Sequence, residues 1–262
     1  MELLSAAAAA VREAGSMMLN RELSQEIREK SPVDYVTGVD LAVQDFLKER
    51  LCCLSSNIGF LSEEQESFEW EFQSSVWVLD PVDGTTNLIH DFHHSAVSLA
   101  LIEGGKPEAG IVYCPFSGEM FTARRGSGAF LNGTSIRTSD SARMADSLLS
   151  VGTAPGNREE VKETFERMRR IFERCRDIRR MGAASLELCY VACGRLDGYF
   201  EEHLKPWDYA AGMVIVEEAG GTVCGRDGLP PVFLPDREIA ATNGKITEEL
   251  IFFLRDGQGG EA

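Results

Sequence analysis

Apolar positions in residues 3–20 recur at helical spacing. Leu4, Ala7, Ala8, Val11, Ala14, Gly15 and Met18 share one face, which predicts an amphipathic helix. Residues 28–39 lose that rhythm; they are polar and interrupted by Pro32 and Gly38, and predict a loop or a short exposed hairpin. A second helical stripe runs through Leu41, Val43, Phe46, Leu47, Leu51 and Leu54, with Asp40 where an N-cap would stand. From residue 58 the pattern shortens to strands at 58–61, 76–79, 96–102, 110–114 and 120–123. Turns are predicted at 104–106, at 115–118 and at Asn132-Gly133. Residues 158–175 read as a charged amphipathic helix, and 184–193 as a more buried one. A strand is predicted at 196–201, then a helix from Pro206 to Ala219, closed by Gly220-Gly221 before a strand at 222–224. The tail 257–262 reads as frayed.

Helices first, then antiparallel-looking strands, then a mixture predicts a layered α+β fold rather than a doubly wound parallel sheet. A weak boundary at 138–147 divides one domain, 1–262, into an N-terminal half 1–140 and a C-terminal half 141–262.

Charge changes the picture more than composition does. Apolar residues make up 44%, ordinary for a globular chain, but 42 Asp and Glu face 26 Lys and Arg, a formal charge of −16. That field repels nucleic acid and anionic membranes, so neither is an expected partner. An anionic substrate is repelled as well unless metal ions reverse the sign locally. The seven cysteines contain no CxxC pair and no histidines at zinc spacing, which argues against zinc and a disulfide framework and for a reducing cytoplasm. The apolar run 3–11 follows Glu2 without a basic segment and is broken by Arg12-Glu13, unlike a signal peptide. No stretch approaches the ~20 apolar residues that span a bilayer.

The candidate chemistry sits where 76–79 ends in Asp80-Pro81-Val82-Asp83-Gly84-Thr85-Thr86-Asn87. Two hard carboxylates and the Val82 carbonyl suit Mg²⁺. Gly84 lets the backbone approach a phosphate, and a helix starting near Thr85 would aim its N–H groups at it. Glu63 and Asp208 stand at comparable handovers, after strand 58–61 and at a helix start. Taken singly, Asp83-Gly84 is a common turn, Glu63-Glu64 a solvated pair and Asp208 a first-turn acid. His90, His93 and His94 suit packing better than an oxygen-rich ion site. A phosphoaspartyl mechanism is disfavoured because Pro81 occupies the position two before Asp83, leaving water as nucleophile.

These segments resemble the inositol monophosphatase family of lithium-sensitive, Mg²⁺-dependent phosphatases. The resemblance extends through residues 34–40, Leu61-Ser62-Glu63-Glu64, Arg179-Arg180-Met181-Gly182-Ala183-Ala184, Gly198-Tyr199-Phe200-Glu201, Pro206-Trp207-Asp208-Tyr209-Ala210-Ala211-Gly212 and Glu218-Ala219-Gly220-Gly221. It implies an αβαβα sandwich of the inositol monophosphatase and fructose-1,6-bisphosphatase type, usually a homodimer. Glu63, Asp80 and the Val82 carbonyl would hold one Mg²⁺, and Asp80, Asp83 and Asp208 a second. A third ion would involve Glu63 and the loop around 30–40. Glu63 and Thr85 would orient a metal-activated water, with Asp40 paired to the Thr85 hydroxyl. The backbone at Gly84-Thr85 would hold phosphate, Glu201 would take hydroxyls of the leaving group, and Gly182, Ala183 and Ala184 would line its side.

Two positions depart from the family pattern: Ser62 replaces the usual glycine before the paired glutamates, and Ala183 stands where a hydroxyl residue is common. The implied activity is hydrolysis of myo-inositol 1-phosphate, with a broader sugar phosphatase or histidinol phosphatase as alternatives. Thr86 argues against nucleotide 3′-phosphatase relatives, which usually carry Lys there. A regulatory, protein-binding member of the same fold is the non-enzymatic alternative.

Overall fold

The computed structural model describes residues 2–31, 33–65, 74–231, 233 and 237–255; Pro32 and the tail 257–262 lie outside them. An opening helix α1 (Glu2–Gly15) continues through a single-turn 3₁₀ segment to a short α2 (Arg21–Ser24). The predicted polar hairpin follows as β1 (Arg28–Ser31) and β2 (Asp34–Val36). Helix α3 (Gly38–Leu54) buries Val39, Val43, Leu47 and Leu51, a single stripe at i, i+4, i+8 and i+12. Its N-cap is Thr37 rather than Asp40. Asp40 is the third helical residue, and its carboxylate takes both the Thr37 N–H (2.8 Å) and the Thr37 hydroxyl (2.6 Å).

Seven strands in sequence order form the first sheet: β3 (Gly59–Ser62), β4 (Val76–Asp83), β5 (Ala96–Glu103), β6 (Lys106–Cys114), β7 (Glu119–Arg124), β8 (Gly128–Leu131) and β9 (Thr134–Ser135). Only β3 and β4 run parallel, so both end on the same side of the molecule. Helix α4 (Thr85–Ile89) leaves β4 directly. The second sheet, in order β11-β10-β12-β14-β13, comprises β10 (Leu148–Val151), β11 (Asp177–Arg179), β12 (Gly198–Leu204), β13 (Thr222–Cys224) and β14 (Arg237–Thr242). Its first three strands are mutually parallel.

The remaining helices are α5 (Val161–Phe172), α6 (Ala184–Ala192), α7 (Pro206–Glu218) and α8 (Thr247–Leu254). Helices α1 and α3 cover the outer face of the first sheet, α6 and α7 fill the space between the sheets, and α5 and α8 cover the second sheet. The result is the αβαβα sandwich. Ten of the thirteen residues of α7 are buried, which is what a helix pressed between two sheets requires. Five strands, β8 to β11 and β14, and helices α2 and α8 escaped the sequence reading. The strands are short or lie where alternation is absent.

All eight residues of β4 are buried, because the strand is covered on both faces. Trp77 and Leu79 face α1 and α3, whereas Val76 and Val78 face the middle helices. Strict alternation would put Asp80 on the middle face and Asp83 on the opposite one. A bulge prevents this: Asp80 pairs with Ser98 and Asp83 with Ala96, three residues against two. The extra residue turns Val82 towards α3 and Asp83 towards α6, so both aspartates serve one side. The strand therefore runs through Asp83, further than residues 76–79 predict, because its acids pair like any ladder residue.

Candidate active site

The carboxyl ends of β3, β4, β10, β11 and β12 meet the N-termini of α4, α6 and α7 in one crevice between the sheets, where open α/β layers place their ligands. Asp80 is 3% and Asp83 7% exposed. Asp80 Oδ1 accepts the Val82 N–H at 3.0 Å. Asp83 spans to α6, accepting the Ser185 N–H (2.7 Å) and hydroxyl (2.5 Å) and the Ala184 N–H (3.2 Å). Asp208 closes the first turn of α7 by taking the Lys205 N–H at 2.6 Å, so its first-turn role and its place in the crevice coexist. Glu63, whose side chain is 25% exposed, pairs with Lys30 of the hairpin at 3.3 Å; Lys30 also contacts Glu64.

The electrostatics tie these groups together. Burial pushes the Asp80 carboxyl well above the usual range, and the charges of Glu63, Asp83, Asp208 and Asp40 push it further. Asp208 is raised likewise by burial, with Glu63 and then Asp83 and Glu201 adding to it. Burial lifts Asp83 to about 6 despite the opposing hydrogen bonds from Ser185. Burial lifts Glu63 to about 7 against the pull of Lys30. Several of these acids raise one another, and a divalent ion placed among them would oppose those shifts. The hard oxygen donors and the Val82 carbonyl, which keeps a second lone pair, fit magnesium. Among the described residues, no three acidic, imidazole or thiol side chains already converge on one ligation point. Each carboxylate instead turns an oxygen to the protein donors just named.

Gly84 adopts φ +87°, a left-handed turn that favours glycine. A Cβ there would also lie 3.0 Å from the His94 carbonyl and 3.2 Å from both the Gly182 carbonyl and the Ala183 Cβ. The turn thus leans directly on the 182–184 segment. Asn87 staples the two, donating to the carbonyls of His94 and Met181, each at 2.8 Å, and of Gly182 at 3.2 Å. The Thr85 hydroxyl donates to the Val82 carbonyl at 2.9 Å and lies 3.4 Å from Asp40 Oδ1, so Asp40 and Thr85 meet. Ala183 is fully buried and Ala184 nearly so.

On the far wall, β12 carries adjacent acids on opposite faces. Glu202 points outward with Phe200 and forms a buried pair with Arg167 of α5 at 2.6 Å. Glu201 shares the inner face with Tyr199, whose hydroxyl donates to it at 2.5 Å. A Cβ on Gly152 would fall 1.8 Å from Glu201 Cδ, so the end of β10 must be glycine for Glu201 to sit there. A cleft of about 300 Å³ opens between residues 154–157 and Glu201, Lys205 and Asp208. Another of about 600 Å³, lined by Lys30, Glu63 and Glu64, adjoins it at Lys205 and Asp208.

All the predicted site residues therefore gather around one crevice. Lys30, Asn87, Thr153, Arg180, Ser185 and Tyr199 also belong to it, and sequence reasoning gave them no site role. Asn87, Arg180 and Tyr199 lay in quoted motifs. The histidines stay apart: His93 stacks on Phe116, centroids 4.8 Å apart, and His94 lies against Tyr190. All seven thiols are free.

The inositol monophosphatase family model matches residues 1–257. The chain belongs to the inositol monophosphatase family. It is 36% identical over 252 residues to a "Nus factor SuhB" of Pasteurella multocida, covering 95% of this chain and 94% of that protein. An inositol-1-monophosphatase of Mesorhizobium japonicum is 35% identical over 244 residues, 90% of this chain and 91% of the relative. The solved structure of the extragenic suppressor protein SuhB of Bartonella henselae superposes with a TM-score of 0.91 at 34% identity, covering 98% of this chain and all of that one. Among the described residues no helix is long and apolar enough to cross a membrane.

Proposed function

We propose that this chain is a Mg²⁺-dependent phosphomonoesterase whose substrate is myo-inositol 1-phosphate, working as one domain and as a homodimer. The observation that supports this most is the β4 bulge, which turns Asp80 and Asp83 into the crevice shared with Glu63 and Asp208, beside the Gly84 turn. Glu63, Asp80 and the Val82 carbonyl would hold one ion, and Asp80, Asp83 and Asp208 a second; a third ion would lie at Glu63 and the 30–40 hairpin. When bound, magnesium supplies Lewis acidity to the phosphoryl oxygens and lowers the pKa of water. The chain's own residues do the rest. Glu63 accepts a proton from the attacking water, and Thr85, held by Val82 and Asp40, orients that water. The Gly84-Thr85 backbone seats the phosphate, and Glu201 accepts hydrogen bonds from leaving-group hydroxyls.

The deciding assay is phosphate release from myo-inositol 1-phosphate with and without Mg²⁺. Metal-dependent turnover is expected, and none above background defeats the reading. Fructose 1,6-bisphosphate and histidinol phosphate at matched concentrations define breadth. Relatives bearing the name Nus factor support a second reading, in which the fold acts by protein contact. An Asp83→Asn chain that has lost hydrolysis yet restores the cellular role of a deletion would favour it.

A further inference from the structure

The three parallel strands of the second sheet end at the leaving-group wall, each delivering one polar group: Thr153 beyond β10, Arg180 beyond β11 and Glu201 in β12. Arg180 is exposed, and its Nε and Nη2 both donate to the Thr153 hydroxyl, at 3.2 and 3.0 Å. That double anchor fixes the guanidinium plane and leaves Nη1 uncommitted. Nη1 lies over Gly182, where a Cβ would come within 2.1 Å of it. Gly182, at φ +82°, is thus also the residue that lets the guanidinium lie flat on the site wall.

Among the described residues Arg180 forms no ion pair, although its charge reaches Glu201. Glu201 itself is held by the Tyr199 hydroxyl at 2.5 Å and, more loosely, by the Ala154 N–H at 3.4 Å. One wall therefore presents a fixed acceptor and a fixed donor, above a crevice lined by Glu63 and Asp208 together with Lys30 and Lys205. A hydroxyl group is the chemistry that uses both, since it offers one hydrogen to a carboxylate and lone pairs to a guanidinium. A second phosphate would meet Arg180 but would also meet the Glu201 charge. An apolar leaving group would use neither.

Resting on the phosphatase reading above, we propose that Arg180 is the specificity-determining residue of the leaving-group wall. Tethered by Thr153 and laid over Gly182, it donates from Nη1 to a hydroxyl oxygen of a polyol whose neighbouring hydroxyl Glu201 accepts. The substrate class so selected is a phosphomonoester of a vicinal polyol. Arg180→Lys does not satisfy the site, because one ammonium cannot span Thr153 and the substrate as a fork does.

The test compares kcat/KM for myo-inositol 1-phosphate with that for p-nitrophenyl phosphate, whose leaving group carries no hydroxyl, at saturating Mg²⁺. In Arg180→Ala the ratio of the two should fall roughly 10- to 100-fold, the scale of one charge-assisted hydrogen bond, mainly through KM for the polyol. Arg180→Lys should recover less than a third of that loss. Thr153→Val should lower the ratio in the same direction, and the double variant should lose less than the product of the singles, because the second change removes an anchor already idle. Equal losses on both substrates, or an unchanged ratio, overturn the proposal. A larger loss on fructose 1,6-bisphosphate than on the polyol monoester overturns it too, in favour of second-phosphate recognition. A wild-type chain inactive on every ester condemns the phosphatase reading itself, a separable result.

Discussion

The two walls of the crevice are built on opposite plans. The first-sheet wall takes Asp80, Val82, Asp83, Gly84 and Thr85 from six consecutive residues, and a single bulge aims them. The second-sheet wall takes Thr153 and Arg180 from beyond two strand ends and Glu201 from within a third strand, separated by more than twenty residues each. Chemistry that needs several ligands around one phosphoryl group is served by a local, rigid turn. On the proposed function, selection of what departs would be served by parts that can be exchanged one strand at a time. The first wall should thus be intolerant and the second tunable.

The sharpest break of that contrast is Asp83→Asn. Activity should fall on the order of 10²-fold or more. Because the change removes one of several buried acids that repel, the melting temperature in EDTA should not drop. Loss of activity accompanied by unfolding would make Asp83 a fold residue instead.

Next in size is the response of the metal-free protein to pH. Burial first, and neighbouring acids second, raise the Asp83 carboxyl from 3.8 to about 6, and burial takes Glu63 from 4.5 to about 7. Between roughly pH 4 and pH 7 the native state then keeps protons that the unfolded chain has released. Stability should therefore be fullest below pH 4 for these groups and decline as pH rises through 6 to 7, by about 3 kcal/mol for a group shifted as far as Asp83. Mg²⁺ should flatten the decline. Urea melts at several pH values, with EDTA and with Mg²⁺, measure this; a metal-free protein that gains stability across that window, with no difference on adding Mg²⁺, contradicts it.

Smaller effects should come from the second wall. Gly152→Ala would force Glu201 aside, and kcat/KM for a polyol phosphate should drop roughly tenfold. Tyr199→Phe removes only the hydroxyl held by Glu201, so a change of about three- to tenfold is expected, carried by KM. If either change instead equals Asp83→Asn in size, the division of labour between the walls is wrong.

Legibility in the sequence follows the same division. Asp80, Asp83, Gly84 and Thr85 could be read together because adjacency places them together, Glu63 and Asp208 because they stand at comparable strand and helix handovers, and the family resemblance joined Asp40 and Glu201 to them. Lys30, Thr153, Ser185 and Tyr199 could not be singled out: each is an ordinary residue locally and gains its role from a partner. Ser185 meets Asp83 across 102 positions and Thr153 meets Arg180 across 27. Asp40 was placed in the right turn but one role away, since the hydroxyl of Thr37 competes for the cap and takes it. Strands β10 and β14 carry too few alternating residues to show a period, although tertiary cover on both faces makes them core.

Helix α7 bears on how substrate arrives. Its apolar surface is covered by helix α6 and the two sheets, and Asp208 stands at its tip. Parting the halves to admit an ester would strip that central spindle bare and drag one acid away from the other three. The open clefts lie at the rim instead, at Lys30 and the 154–157 edge.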